Sequence, residues 1–461
     1  MKKLTINMLH MTSQPSGQGV ASATKEQINL LKEMTQEVFV ITENSKKDGD
    51  INHFHQIDPF MYLRIKNSNT ISVMHVHFLP ETLQGSIKFP KPIMDIFKMY
   101  FLDFYKSADY LVVVNPIFIE PLTTFGITPD RIKYIPNYVS KDDFYILPDE
   151  EIIKTKEQFD LDLDKFTVIG VGQVQTRKGV LDFVEVAKRC PDIQFVWAGG
   201  FSFGAITDGY KELKDVVENP PSNVTFTNII PREQMNHMFN IADCLFMPSY
   251  NELFPMAILE ASNVEVPLLL RNLDLYEDIL FNKYFKGNDN DQFVEALQEL
   301  SKKTDMYQKA KEYSKDISDY YSKENVSAQW VEFYQSIYKT HSESHKITIS
   351  GETFDLIKNK EVSAIIESSI LDPFPLKDVT QGDRLILSKG IIPSKDKIIA
   401  SAKNVVVHNK TEKDNGIEII NEYQQELGID ESEIKKHATK AYFSIIELDN
   451  IRIYEDSVMS D

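Results

Sequence analysis

The chain has 461 residues and a formal net charge of −19 at pH 7, and 42% of its residues are hydrophobic. This length predicts about two to four domains of roughly 100–200 residues, with enough apolar side chains to form large cores. The acidic excess disfavours a broad basic face, so we expect no nucleic-acid partner. Because no apolar run approaches the roughly 18 residues that a membrane span needs, any membrane contact is predicted to be peripheral.

The two cysteines, Cys190 and Cys244, lie in apolar contexts. Such cysteines are usually buried, reduced thiols, and their scarcity is typical of a cytoplasmic protein. The short apolar run that follows the first lysines is interrupted by Asn7 and His10. This pattern does not fit a secretory signal, so we expect a cytoplasmic location.

The first 150 residues alternate apolar runs, typical of buried parallel strands, with helical patterns. The expected strands cover residues 4–9, 38–42, 71–78, 109–116 and 132–139. Gly17 and Gly19 lie between the first strand and the first helix, where glycines let the backbone approach a ligand closely. A simple tight turn is the alternative interpretation of this loop. The order of elements predicts a doubly wound α/β domain.

His75 and His77 lie near the end of one expected strand and point to the same face if both belong to it. At the carboxyl end of a parallel strand they would face the ligand crevice. A hydrogen-bonded histidine in or near the core is the alternative for each of them.

A second α/β series begins with the expected strand 167–174 and the helix that starts at Val180. The loop between them contains Arg177 and Lys178. Two adjacent cations at the mouth of a sheet are well placed to pair with a diphosphate. The alternative is a solvated basic turn.

Residues 249–262 contain two carboxylates eight positions apart, Glu252 and Glu260, which frame an apolar run. The pattern places Glu252 in a strand-to-helix loop and Glu260 about two turns along the helix. The amides at such a helix start can bind a phosphate, while the carboxylates accept hydrogen bonds from sugar hydroxyls. This chemistry fits a nucleotide-sugar. A capped, buried helix with two incidental glutamates is the alternative, and spacing alone does not separate the two.

In this order, the motifs resemble the retaining glycosyltransferases of family 4, which have the GT-B fold. The resemblance covers about residues 1–340. It implies two doubly wound Rossmann-like domains, 1–150 for the acceptor and 151–340 for the nucleotide-sugar. It also implies that the last helix, about 325–340, packs back on the N-terminal domain.

The resemblance implies a role for each motif residue. His77 would contact the donor sugar, Arg177 and Lys178 the phosphates, Glu252 the sugar hydroxyls and Glu260 the ribose. The implied donor-binding set is Gly17, Gly19, Gly172, Arg177, Lys178, Gly200, Ile230, Leu253, Phe254 and Glu260. The implied catalytic set is His77, Arg177, Lys178 and Glu252. No metal or other cofactor is expected. One departure is Gln173, which stands where the family usually has an arginine, so Arg177 would supply that charge from a neighbouring position.

A finer resemblance points to glycosyltransferases of Gram-positive bacteria that build glycolipids on diacylglycerol. It rests on residues 7–9, 17–20, 77–82 and 251–256. It implies transfer of glucose or galactose, with retention, from a UDP-sugar to diacylglycerol or glycosyl-diacylglycerol at the inner face of the cell membrane. A transferase acting on a soluble sugar, a cell-wall polymer or a protein is the alternative.

Residues 88–106, which begin with Lys88 and end with Lys106, mix lysines with aromatic and aliphatic side chains. A helix of this composition can lie in a membrane interface, where its lysines meet anionic head groups. A well-buried domain helix is the alternative.

The tail, residues 345–461, changes to short β-type runs separated by turns, with two helical pieces between them. This pattern predicts a small β-barrel-like α+β domain. It resembles ASCH domains of the PUA-like superfamily, although that family's basic motif is not intact near residues 359–367. We expect an accessory module, with an RNA- or partner-binding protein that acts through this tail as the alternative function.

Overall fold

A computed structural model describes residues 3–10, 19–67, 70–79, 91–201, 209–342, 344–370, 376, 378–390, 397–409 and 416–454. The chain forms two compact units. The first comprises Met1–Met61 with Ser72–Phe333, and the second comprises Tyr62–Ile71 with Tyr334–Asp461.

A six-stranded sheet forms the amino-terminal half of the first unit. Its strands are β1 (Leu4–Leu9), β2 (Phe39–Glu43), β3 (Ile51–Phe54), β4 (Ile71–Val76), β5 (Tyr110–Val113) and β6 (Ile132–Tyr134). The order is β2-β1-β3-β4-β5-β6, and β1 pairs in parallel with both of its neighbours. The five strands expected here are present. Strand β3 was missed because Asn52 and His53, both fully buried, interrupt its apolar pattern.

Four helices accompany this sheet in the described residues. They are α1 (Gly19–Met34), α2 (Pro59–Asn67), α3 (Lys91–Ser107) and α4 (Ile119–Thr124). The buried face of α1 is formed by aliphatic side chains at helical spacing, among them Ile28 and Leu31.

The second half of this unit is another six-stranded parallel sheet. Its strands are β7 (Thr167–Val171), β8 (Gln194–Ala198), β9 (Val224–Phe226), β10 (Cys244–Met247), β11 (Leu268–Arg271) and β12 (Phe285–Gly287). The order is β12-β11-β10-β7-β8-β9. Because these strands run parallel, their carboxyl ends meet at one edge, where the loops of a doubly wound sheet bind ligands.

Helices cover the second sheet and complete its core. They are α5 (Asp149–Gln158), α6 (Val180–Arg189), α7 (Tyr210–Glu218), α8 (Met235–Asn240), α9 (Met256–Asn263), α10 (Glu277–Leu280), α11 (Asn290–Leu300) and α12 (Asp305–Tyr320). Phe183 of α6 packs between Trp197 and Phe246, with ring centroids 5.0 and 5.7 Å away. Cys190 and Cys244 are free, buried thiols, as expected.

The long helix α13 (Lys323–Ser342) carries the apolar stripe that its sequence predicts. Trp330 is 1% exposed and Phe333 is 5% exposed. The Trp330 ring lies 5.4 Å from the ring of His53 and 5.9 Å from that of His75, so this helix contacts the first sheet. None of the helices in the described residues is both long and apolar enough to cross a membrane.

The second unit is built on a five-stranded mixed sheet. Its strands are β13 (His345–Ile349), β14 (Ala364–Ser369), β15 (Arg384–Lys389), β16 (Lys397–Asn409) and β17 (Tyr442–Tyr454), in the order β13-β15-β16-β17-β14. Its helices are α14 (Gly351–Lys358), α15 (Gly416–Glu422), α16 (Gln424–Leu427) and α17 (Glu431–Ala438). The first of the two helical pieces expected in the tail is divided at Tyr423 into α15 and α16.

Candidate active site

The loop after β7 turns sharply and meets the loop after β10. Residues 176–178 form one 3₁₀ turn that ends at Gly179, with φ +70°. A β-carbon at Gly179 would lie 2.3 Å from the carbonyl oxygen of Pro248, so a side chain does not fit there. The amide of Tyr250 donates to the carbonyl of Arg177 at 2.8 Å. These contacts bring the Arg177-Lys178 pair beside residues 250–252.

Lys178 and Glu252 form a buried ion pair at this junction. The Lys178 Nζ donates to Glu252 Oε1 at 2.5 Å, and their side chains are 12% and 5% exposed. Arg177 donates through Nη1 to the carbonyl of Asn251 at 3.0 Å and lies 3.9 Å from Glu252 Oε2. A β-carbon at Gly172, whose φ is +143°, would lie 3.4 Å from Lys178 Cε, so glycine there leaves room for the lysine stem.

The charges of this pair follow from burial and mutual attraction. Burial lowers the pKa of Lys178, opposed by the carboxylate of Glu252. For Glu252, burial opposes ionisation, but the charges of Lys178 and Arg177 and the hydrogen bonds from Lys178 and Ser249 outweigh it and lower its pKa. The site therefore places the carboxylate of Glu252 against both Lys178 and Arg177.

Two glutamines support Arg177 from the same loop. Gln175 Oε1 accepts from Arg177 Nε at 3.1 Å, and Gln175 Nε2 donates to Gln173 Oε1 at 2.7 Å. Gln175 is buried. Gln173 therefore helps, through Gln175, to orient the guanidinium of Arg177.

Glu260 lies on α9 and pairs with Arg232, which connects the two halves of the first unit. Arg232 Nη1 donates to Glu260 Oε1 at 2.6 Å, and its Nη2 donates to Glu26 Oε1 on α1 at 2.8 Å. Both carboxylate side chains are 5–6% exposed, whereas Arg232 is 34% exposed. Glu260 is the fifth residue of α9, just over one turn from its start rather than two, because the helix begins only after Pro255.

The guanidinium of Arg232 keeps its charge because it lies between two carboxylates. Burial tends to lower its pKa, but attraction to Glu260 and Glu26 and the hydrogen bonds to them raise it. Burial raises the pKa of Glu260, and Arg232 opposes that shift. The contact between α1 and α9 therefore depends on one guanidinium that pairs with two buried carboxylates.

Backbone groups of the segment before α9 accept hydrogen bonds from the first sheet's half. Asn115, fully buried, donates through Nδ2 to the carbonyl of Leu253 at 3.0 Å. Asn137 donates to the carbonyl of Phe254 at 3.4 Å. These side chains fix the loop whose amides were expected to hold a phosphate. Among the residues that the structure describes, no side chain caps the start of α9.

Gly200 and Ile230 lie at the same sheet edge. The carbonyl of Gly200 accepts from the amide of Val174 at 3.0 Å, which ties the end of β8 to the cation-bearing loop. A β-carbon at Gly200 would lie 3.2 Å from Ile229 Cγ1. Ile230 is half-buried in the loop between β9 and Arg232.

His77 directly follows β4 and belongs to a cluster of four buried histidines. The His75 and His77 rings stack with centroids 4.3 Å apart, so both lie on one face, as expected. His77 Nε2 lies 3.4 Å from His55 Nδ1. Of the predicted glycine loop, Gly19 is the first residue of α1, and Gly17 lies outside the described residues.

Several residues in and around the candidate site were not predicted from the sequence: Glu26, His53, His55, Asn115, Asn137, Gln175 and Arg232. Arg232 follows a strand at the mouth of the sheet, a position that already marked Arg177 and Lys178. Glu26, Asn115 and Asn137 carried no local signal, because the partners described above are distant in sequence; Glu26 and Arg232 are 206 positions apart. Gln175, His53 and His55 contact near neighbours in the chain, but a single buried polar residue does not stand out from the local sequence pattern.

Comparisons with known proteins agree with this architecture. Residues 151–317 match the family "Glycosyl transferases group 1". Over 336 residues the chain is 43% identical to alpha-galactosylglucosyldiacylglycerol synthase of Streptococcus pneumoniae, covering 72% of this chain and 90% of that protein. It is 26% identical over 250 residues to processive diacylglycerol alpha-glucosyltransferase of Acholeplasma laidlawii, covering 52% of this chain and 74% of the relative.

Solved structures share the fold at low identity. Sucrose-phosphate synthase from Thermosynechococcus elongatus aligns with a TM-score of 0.59 at 14% identity, over 73% of this chain and all of that one. Anabaena HepE in complex with UDP-glucose aligns with a TM-score of 0.59 at 12% identity, over 72% of this chain and all of that one. The predicted pair of Rossmann-like domains is confirmed, and the chain belongs to the group 1 glycosyltransferases as a hexosyltransferase with the GT-B fold.

Proposed function

We propose that this chain transfers a hexose from a UDP-sugar, with retention of the α configuration, to a lipid acceptor built on diacylglycerol. The observation that carries the proposal is the 43% identity with a diacylglycerol glycolipid synthase across 90% of that relative's length. The buried Lys178–Glu252 pair beside Arg177 supplies the matching chemistry.

In this proposal Arg177 and Lys178 hold the donor diphosphate. Amides at the start of α9 add partial positive charge to the same point. The donor phosphate competes with Glu252 for the ammonium of Lys178, since the two now form an ion pair at 2.5 Å. The carboxylate released in this exchange can accept hydrogen bonds from hydroxyls of the hexose.

Glu260 is proposed to bind the ribose hydroxyls, and His77 the hexose. Catalysis then comes from positioning the two substrates and from neutralising the departing UDP. Lys178 acts where negative charge develops on the leaving phosphate, so it contributes more in the transition state than in the ground state. We infer no metal in this step, because the two cations supply the countercharge.

Glucosyl-diacylglycerol with UDP-galactose is our preferred substrate pair. The relative that matches at 43% identity is named for a galactosylglucosyldiacylglycerol product, whereas the diacylglycerol glucosyltransferase matches at 26%. Transfer of glucose to diacylglycerol is the second candidate.

We propose that α3 brings the enzyme to an anionic bilayer at the inner face of the membrane. Met99 is 73% exposed, and Lys98 is its neighbour. The same helix buries Phe101, Phe104 and Tyr105. One face of α3 is therefore packed in the domain core, as the alternative interpretation expected. The exposed Met99 face is the part proposed to contact lipid.

The tail, residues 345–461, is proposed to be an ASCH-like accessory module. It has its own sheet and apolar cores, one around Ile357 and Leu385 and another around Ile420 and Phe443. We infer that domains 1–150 and 151–340 carry out the transfer and that the tail has an accessory role.

The test is a product assay with UDP-galactose and UDP-glucose, each offered with diacylglycerol, glucosyl-diacylglycerol and soluble glucose. The acceptor lipids are presented in vesicles that contain phosphatidylglycerol. We expect an α-linked galactosyl product on glucosyl-diacylglycerol. Transfer to soluble glucose with no product on either lipid would contradict the lipid-acceptor proposal.

A further inference from the structure

Four imidazole rings form a compact grid on one face of the first sheet. His53 and His55 come from β3 and the residue after it, and His75 and His77 from β4 and the residue after it. Ring centroids along each strand are 4.5 and 4.3 Å apart, and those across the strands are 5.3 and 5.7 Å apart. All four side chains are buried, between 0% and 6% exposed.

Some nitrogens of this grid have no hydrogen-bond partner within the part of the chain that the structure describes. They are Nε2 of His55 and both ring nitrogens of His75. An unsatisfied polar atom in a core is unfavourable, and such atoms often mark a bound ion or water. Trp330 covers the His53 and His75 rings, so open solvent does not explain them.

Imidazole nitrogens with no hydrogen-bond partner suit a transition-metal cation rather than an anion. A neutral imidazole keeps one lone pair and is the form that binds a transition metal.

We propose that His53, His55 and His75 bind one divalent first-row transition-metal ion, with zinc as the preferred probe. One ligand nitrogen from each of these residues can be chosen so that all three lie within 4.8 Å of one another. Tetrahedral zinc with Zn–N bonds of about 2.0–2.1 Å holds its nitrogens roughly 3.4 Å apart, so the nitrogens must approach one another by at most about 1.4 Å. The stacked rings must also turn so that their in-plane lone pairs converge on the ion. A water completes the coordination.

The bound ion would connect β3 to β4 immediately before His77. Imidazole ligands suit zinc, copper, nickel and iron, whereas magnesium and calcium prefer oxygen. The proposed role is structural: the metal fixes the strand ends from which His77 projects. It is separate from the donor diphosphate, which Arg177 and Lys178 are proposed to hold.

The test uses the full chain without a histidine tag, stripped with a chelator and titrated with zinc against a chromophoric indicator. Metal content is then measured by mass spectrometry after dialysis. We expect one zinc per chain, and cobalt in its place should give the visible absorption bands of a tetrahedral site. A stripped chain that takes up neither zinc nor cobalt would overturn the proposal, whatever its transferase activity.

His75→Phe keeps a ring in the stack and removes both nitrogens. Loss of a direct ligand should weaken zinc binding by at least about tenfold, since loss of an outer hydrogen-bond partner alone costs about 10–100-fold. His237→Phe changes a histidine on α8, far along the sequence, and should leave the affinity unchanged. Equal affinity in His75→Phe and the parent chain would also overturn the assignment. If His75→Phe does not fold, the cobalt spectrum of the parent chain decides.

Discussion

Replacing Arg232 by methionine removes the cation that joins Glu26 on α1 to Glu260 on α9. Methionine keeps most of the side-chain volume beside Phe144, over whose ring the guanidinium carbon lies at 5.1 Å. The variant therefore tests charge more than packing. It leaves two carboxylates, 5–6% exposed, without the partner that holds them at 2.8 and 2.6 Å.

Removing one partner of a buried ion pair costs about 3–5 kcal/mol. Arg232 itself is 34% exposed, so water compensates part of the loss, and we expect about 3 kcal/mol at pH 8. The loss should shrink at low pH. Burial already raises the pKa of Glu260, and without Arg232 it rises further. The folded variant then holds protons that the unfolded chain releases above about pH 4.3, so its relative stability falls as pH rises.

The measurement is the free energy of unfolding in urea, followed by circular dichroism at pH 5 and pH 8. Lys283→Met is the matched control, because its pair with Asp316 has a 2.7 Å separation but side chains 37% and 51% exposed. The control should lose less than about 1 kcal/mol. Adding Glu260→Gln to Arg232→Met should recover part of the stability at pH 8. A loss below about 1 kcal/mol for Arg232→Met at both pH values would refute the reasoning.

Three further predictions concern donor and membrane binding. Glu260→Gln should raise the donor KM by about 10–100-fold with a smaller change in kcat, because one charge-assisted hydrogen bond is worth about 1.5–3 kcal/mol. Glu299→Gln is the control, and equal KM values for the two variants would contradict the ribose assignment. The pKa of Lys178 is lowered from its usual 10.5, so kcat/KM should fall as pH rises through a value below 10.5. In an active Lys178→Arg variant this fall should occur at a higher pH, and a fall at the same pH would contradict the assignment. Met99→Asp should weaken sedimentation with phosphatidylglycerol vesicles by about tenfold or more, while Met306→Asp on α12 should not; identical losses would count against α3 as the membrane contact.

Periodicity in the sequence is sufficient to predict most of the strands of the two parallel sheets. Strands such as β7 and β10 are continuous apolar runs bounded by turn residues, which is what burial on both faces of a parallel sheet requires. Strand β3 is not a continuous apolar run, because it contains the buried Asn52. The Oδ1 of Asn52 accepts a hydrogen bond from the amide of Gly49 at 3.2 Å. Hydrophobicity patterns do not detect short strands whose polar residues are buried and hydrogen-bonded.

The positions of the candidate residues were predictable where those residues lie in one loop or one helix. Arg177, Lys178, Glu252 and Glu260 are placed at one sheet edge by local signals, and the structure pairs Lys178 with Glu252. The partner of Glu260 was not predictable, because Arg232 and Glu26 meet only after both sheets have formed. The role of each residue in transfer, the domain limits and the ASCH-like character of the tail stay predictions.

The most direct test of the account is the single-turnover rate of galactose transfer from UDP-galactose to glucosyl-diacylglycerol by Lys178→Met. We expect a rate about 10²–10³-fold below that of the parent chain, with donor binding weakened less, because Lys178 stabilises charge that develops on the departing diphosphate. Lys283→Met, which removes an exposed lysine from the same half of the molecule, should transfer at the parent rate. A Lys178→Met chain that is folded, binds UDP-galactose and transfers galactose at the parent rate would contradict the central claim.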